Sequence, residues 1–163
     1  MILRSAAIRS GQTGHQAGRE LLEKLYLEVM GEPMPPIAVT ERGKPYFTEG
    51  DLHFSISHTP RHVFCVLAEN PVGIDAEELD REVNLQLADR ILSPREKEQY
   101  DLVEDKQIAL LTFWVLKEAA AKCSGEGLRG FPNNTNFFLC DPRVTTREGC
   151  LVAAVEDGRE FHV

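Results

Sequence analysis

Phe113-Trp114-Val115-Leu116-Lys117-Glu118-Ala119-Ala120-Ala121-Lys122 lies within a longer Leu- and Ala-rich run that starts near Lys106 and ends at Gly125 and Gly127. Leucine and alanine lose little on entering a helix, and glycine supplies the left-handed residue that closes one, so the run predicts a helix from Lys106 to Lys122. Trp114, Glu118 and Lys122 then stand one above the other at i, i+4 and i+8. Lys117 lies about a hundred degrees round the helix from Glu118. By itself the Glu118/Lys122 spacing describes a surface ion pair below a core tryptophan, a feature that stabilises a helix by only a few tenths of a kcal/mol, roughly.

Working outward, Ser93-Pro94-Arg95-Glu96 combines a capping serine, proline at the first helical position and a glutamate able to reach back to the cap amide. A second helix therefore begins there. Phe137 to Cys140, Cys150 to Glu156 and Arg159 to Val163 are expected to be strands, the last two joined by the turn Asp157-Gly158. Towards the start, Ile2 to Ile8 is expected as an edge strand. His15 to Met30 places Ala17, Leu21, Leu22, Leu25 and Val29 on one helical face, closed by Gly31 and Pro33. Ile37 to Thr40, His53 to Ser57, Val63 to Ala68 and Val72 to Glu77 complete the strands, the middle two antiparallel across Thr59-Pro60-Arg61. Strand and helix then strands, followed by helices then strands, is an α+β pattern of two similar lobes, about 1–71 and 72–163, within one compact unit.

The chain has 163 residues, 42% of them hydrophobic, and a formal charge of −8. That length buries a core without disulfide or metal staples. The apolar stretches are too short and interrupted to span a membrane, and Arg4 and Arg9 come too early for a secretory signal, so a cytoplasmic protein is expected. Cys65, Cys123, Cys140 and Cys150 fit no paired metal-ligand spacing and read as buried free thiols. The acidic balance argues against nucleic-acid binding, which needs a basic face.

Asp75 and Glu77, two apart in an extended segment, project from one face, which is how a strand offers oxygen ligands to a hard cation such as Mg²⁺. Gly43-Lys44-Pro45 holds a lysine in a stiff bend. Ser57-His58-Thr59 leaves a strand just before a proline, putting a hydroxyl, an imidazole and backbone amides at a rim suited to an anion. Ser57 is not framed by glycines, and adjacent strand residues point to opposite faces, so serine nucleophile chemistry is disfavoured. Together these groups suggest a cation-and-diphosphate site, with Asp75, Glu77 and Glu118 on the metal and Lys44, His58 and Lys122 on phosphates.

The ordered series Gly43-Lys44-Pro45, Phe54-Ser55-Ile56-Ser57-His58-Thr59, Val72-Gly73-Ile74-Asp75-Ala76-Glu77 and Phe113 to Lys122 resembles the 4′-phosphopantetheinyl transferases, most closely the surfactin-synthetase-activating branch. The resemblance implies a pseudo-dimer of two α/β lobes with coenzyme A between them. It implies transfer of the phosphopantetheine arm to a serine of an apo acyl or peptidyl carrier protein, with release of adenosine 3′,5′-bisphosphate. It also implies Mg²⁺ on Asp75, Glu77 and Glu118, Lys122 at the diphosphate, and Ser57 and His58 on coenzyme A phosphates. Lys44 and Arg42 would meet the 3′-phosphate end. Glu118 would accept the serine proton directly or through a water on the metal, its ionised form favoured by Lys122. The chain is short for the branch at both ends, so the outer adenine and phosphate contacts are not placed. A basic patch of Arg42, Lys44, Arg61, His62, Lys122 and Arg129 would receive the acidic partners, and the fused lobes suggest a monomer. Two other classes share these residues: a coenzyme A binder without turnover, against which all three acids and Lys122 speak, and a metal-dependent nuclease, against which the charge speaks.

Overall fold

A computed structural model describes residues 1–127 and 135–158. Every residue from Val63 to Ala68 is buried, the signature of a strand covered on both faces rather than one. This run lies in β5 (His62–Ala68), flanked in an antiparallel sheet by β1 (Ile2–Ala7) and β4 (His53–His58) in the order β1-β5-β4. A second sheet repeats the arrangement. Its central strand β8 (Cys150–Glu156) is buried from Cys150 to Ala154 and lies between β6 (Val72–Glu78) and β7 (Val144–Arg147), antiparallel to both. In each sheet the first strand pairs with the last, and the middle one takes the far edge. A two-stranded ribbon, β2 (Ile37–Val39) with β3 (Pro45–Phe47), completes the strands of the described residues.

The inner faces of the two sheets share one apolar cluster: Phe64, Val66 and Ala68 from β5, Val72, Ile74 and Ala76 from β6, and Cys150, Val152 and Ala154 from β8. The outer face of the first sheet is covered by α1 (Gly14–Met30), whose Leu22, Leu25 and Tyr26 pack with Phe47, Phe54, Cys65 and Leu67. Thr13 and Gln16 form a capping box at its start, and Gly31 closes it in the left-handed region at φ 73°. The outer face of the second sheet is covered by α4 (Lys106–Ser124), with Phe113, Leu116 and Ala119 in the same cluster as Leu151 and Ala153. Burial drives the Cys65 thiol up to about 12.

Between β6 and α4 the backbones almost touch. A Cβ on Gly73 would lie 1.9 Å from the Ala119 carbonyl oxygen and 2.4 Å from the Cys123 nitrogen, so only glycine lets the helix lie this low on the strand. Gly73→Ala must lift α4, and we expect it to cost about 1–3 kcal/mol. The measurement is the urea midpoint, and an unchanged midpoint would show that no such close approach exists.

The structure corrects several expectations. Phe137 to Cys140 is not a strand; its backbone is held by side chains of α3 (Pro94–Leu102), with Phe137 N donating to Glu96 Oε1 at 3.0 Å and Leu139 N to Gln99 Oε1 at 3.1 Å. The partner strand of β8 on that side is β7, across Glu148-Gly149. The strand expected over Arg159 to Val163 lies outside the described residues. A 3₁₀ turn (Leu85–Leu87) and the short α2 (Ala88–Ile91) occupy a stretch to which no element was assigned. Val29 is exposed, and Tyr26 takes its place on the buried face of α1; Cys140 is exposed, while the other three thiols are buried. Among the described residues no helix is long and apolar enough to cross a membrane.

Candidate functional site

The seam where β4 meets β6 carries no strand ladder. Side chains bridge it: Ser55 Oγ accepts from Ile74 N at 3.1 Å, and Ser57 Oγ accepts from Ala76 N at 3.2 Å. Ser57 also donates to Asp75 Oδ1 at 3.0 Å. The low seat of α4 on Gly73 sets the last turns of that helix over the same seam. Lys122 Nζ reaches Asp75 Oδ1 at 2.7 Å and the Ile74 carbonyl at 3.1 Å. Gly125, at φ 73°, ends the helix one turn later.

Two cavities meet there. The larger, about 590 Å³, has an apolar wall that includes Ile37, Phe54 and Ile56, and it gathers His15, Arg19, Arg42, Lys44, His58 and Lys122. In a chain of charge −8 this is a concentration of positive charge, and Glu118 is the one carboxylate among its described lining residues. The smaller, about 340 Å³, is lined by Asp75, Glu77, Glu118, Trp114 and Lys122. His58, Glu118 and Lys122 line both. A cation-rich pocket thus opens beside a carboxylate-rich one, with Glu118 and Lys122 on their common wall.

Electrostatics follow from that crowding. Burial raises the pKa of the Asp75 carboxyl above its ordinary range, opposed by Lys122 and by the hydrogen bond from Ser57. Glu118 is also raised, first by burial and then by the negative charge of Asp75. It takes no hydrogen bond from the described residues. Lys122 was expected to pair with Glu118; it binds Asp75 instead, because the seat of α4 brings its ammonium onto the strand. Lys122 still favours the ionised form of Glu118, but burial and Asp75 outweigh it and the net shift is upward.

Asp75, Glu77 and Glu118, expected on one metal ion, line one cavity. They are not drawn to ligand distance about a single point: among the described residues no three acidic, histidine or cysteine groups are so placed. Lys122 holds one oxygen of Asp75, and Arg81 is bonded to Glu77 Oε1. The donor set is nevertheless all oxygen and mutually repelling, which fits a hard divalent cation able to displace those two contacts.

The remaining expected residues divide. Arg42, Lys44 and His58, expected on coenzyme A phosphates, line the larger cavity. The Lys44 ammonium donates to the Cys123 carbonyl at the end of α4, and burial lowers its pKa. Arg42 stands 3.9 Å from Glu126. The wider basic patch is not assembled: Arg61 is held by Glu78 and Asp80 at 2.9 Å, His62 lines neither cavity, and Arg129 lies outside the described residues. Sequence reasoning missed His15 and Arg19. They stand i, i+4 on the polar side of α1, near an end where cations oppose the helix dipole. That unfavourable placement was the available signal.

A family model described as the 4′-phosphopantetheinyl transferase superfamily matches residues 71–157, the span that carries β6, α4 and β8. Among curated proteins, the 4′-phosphopantetheinyl transferase gsp of Aneurinibacillus migulanus is 31% identical over 118 residues, 68% of this chain and 48% of that protein. The 4′-phosphopantetheinyl transferase Sfp of Bacillus subtilis (strain 168) is 37% identical over 92 residues, 54% of this chain and 40% of that protein. The 4′-phosphopantetheinyl transferase psf-1 of Bacillus pumilus is 32% identical over 138 residues, 80% and 58% respectively. The chain spans about half the length of these relatives. The matched span holds Asp75, Glu77, Glu118 and Lys122, the acids and lysine of the smaller cavity, and with it the chain belongs to the 4′-phosphopantetheinyl transferase superfamily.

Proposed function

We propose that the chain transfers the 4′-phosphopantetheine arm of coenzyme A to a serine hydroxyl of an apo acyl or peptidyl carrier protein, releasing adenosine 3′,5′-bisphosphate. One observation carries this reading: a cation-lined cavity sized for a nucleotide shares Glu118 and Lys122 with an acid-lined cavity beside it. Phosphoryl transfer needs that combination, since most of its acceleration comes from positioning and charge stabilisation.

In this reading the larger cavity receives the nucleotide end of coenzyme A. Arg19, Arg42 and Lys44 supply positive charge for its phosphates, His15 stands beside them on the cavity wall, and His58 and Lys122 meet the diphosphate. Asp75, Glu77 and Glu118 would hold Mg²⁺, which supplies neutralisation of the charge that builds on the diphosphate oxygens. The carrier serine oxygen forms a bond to the β-phosphorus, and the bond from that phosphorus to the bridging oxygen breaks. Glu118 takes the serine proton. Burial and the charge of Asp75 raise its pKa in the metal-free protein, and a bound cation would oppose that rise.

The identical strand order of the two sheets supports reading residues 1–71 and 72–163 as lobes of a pseudo-dimer with coenzyme A between them. A monomer follows from that reading. The test is to mix the protein with coenzyme A, Mg²⁺ and several apo carrier proteins and follow intact mass. The expected result is the gain of one phosphopantetheine arm; no gain on any carrier would refute the proposal.

A further inference from the structure

We infer that Ser55 and Ser57 are positioning residues for Asp75, rather than contacts for coenzyme A phosphates. The inference rests on the metal-holding role of Asp75 proposed above. Both serines are buried, at 7% exposure each, and both face β6 from the neighbouring sheet. A serine hydroxyl has one proton to give and two lone pairs to accept with. Ser57 gives its proton to Asp75 Oδ1 and accepts from Ala76 N, so its donor is already engaged within the protein.

The two amides that the serines hold, Ile74 N and Ala76 N, flank Asp75 in the chain. The ladder to β8 holds one edge of β6 here, and the two serines pin the other edge, at the seam, on both sides of this residue. The carboxylate is fixed as well: Ser57 at 3.0 Å and Lys122 at 2.7 Å both take Oδ1. Oδ2 accepts no hydrogen bond from the described residues, yet it is not among their fully enclosed, unsatisfied polar atoms, and Asp75 lines the smaller cavity. The arrangement thus commits one oxygen to the protein and leaves the other for an ion. Groups that orient a ligand in this way commonly change metal affinity about 10- to 100-fold when removed.

The experiment measures three quantities separately: Mn²⁺ affinity by calorimetry or paramagnetic resonance, coenzyme A affinity in chelator, and melting temperature. Ser57→Ala should weaken Mn²⁺ binding about 10-fold or more, with coenzyme A binding in chelator unchanged. Ser55→Ala should weaken Mn²⁺ binding less, because it touches only the backbone. Ser57→Thr, which keeps the hydroxyl, should restore binding toward wild type. Should Ser57→Ala fail to fold, Ser57→Cys, close in size but a weaker donor, should show the same selective loss. Mn²⁺ binding by Ser57→Ala equal to wild type would overturn the inference alone, as would a loss confined to coenzyme A binding. Absence of Mn²⁺ binding by the wild-type protein would overturn it together with the proposed metal role.

Discussion

Glu118→Gln is expected to lower transfer of the phosphopantetheine arm by about a hundredfold or more, the usual scale for removing a positioned base, while leaving the fold as stable as before or slightly more so. The second half of that expectation separates a site residue from a scaffold residue. Glu118 takes no hydrogen bond from the described residues, and burial and Asp75 hold its pKa above the ordinary carboxylate range. A carboxyl raised on folding binds its proton more tightly in the folded chain, so its ionised form costs stability once pH exceeds the unfolded value. Neutral glutamine escapes that cost. In chelator the melting temperature of Glu118→Gln should therefore equal or exceed wild type near neutral pH, with the gain fading below the ordinary glutamate range. A variant that lost both activity and several degrees of stability would place Glu118 among the supports of the fold.

The opposite profile is expected at the neighbouring position. Lys117 and Glu96 form an ion pair at 2.8 Å with both side chains 0% exposed. Glu96 Oε2 also accepts from Ser93 N, and Oε1 from Phe137 N, while Lys117 Nζ donates to the Thr135 carbonyl. One glutamate thus caps α3, pins the chain at Phe137, and neutralises a lysine of α4. Burial pulls the Lys117 pKa down against the pull of Glu96. Removing one partner of a buried pair leaves the other charge uncompensated, at a cost of about 3–5 kcal/mol. For a chain of this size Lys117→Met or Glu96→Gln should each lower the melting temperature by roughly 6–20 °C. The double variant should recover part of that loss, because neither charge is then stranded. Two single variants within a degree or two of wild type would contradict the pairing.

Strongly patterned elements were legible in the sequence. The capping box at Ser93, the helix stopped by Gly125 and the antiparallel pair β4–β5 were each written in local residue chemistry, and all three stand in the structure. β7 was not, because an exposed edge strand reading Val-Thr-Thr-Arg shows no apolar alternation. Phe137 to Cys140 misled in the other direction: its apolar run imitates a strand, but the groups that satisfy its backbone are side chains of α3, a pairing that no local pattern announces.

At the candidate site, the four charged residues Asp75, Glu77, Glu118 and Lys122 were legible as a motif. Their partners were not. Whether Lys122 chooses Glu118 four residues back or Asp75 on another element depends on how low α4 sits on β6, and that is fixed by the missing side chain of Gly73. The bond from Lys44 to the end of α4 is a long-range contact of the same kind.

The apolar cluster between the sheets has a consequence for how the molecule comes apart. Its nine buried side chains are drawn from β5 on one side and from β6 and β8 on the other, so each half keeps the cluster under its own helix but bares an apolar sheet face once its counterpart melts. Calorimetry should accordingly record a single endotherm whose van't Hoff and calorimetric enthalpies agree, and any small molecule lodged at the β4–β6 junction should displace that endotherm as a whole rather than split it.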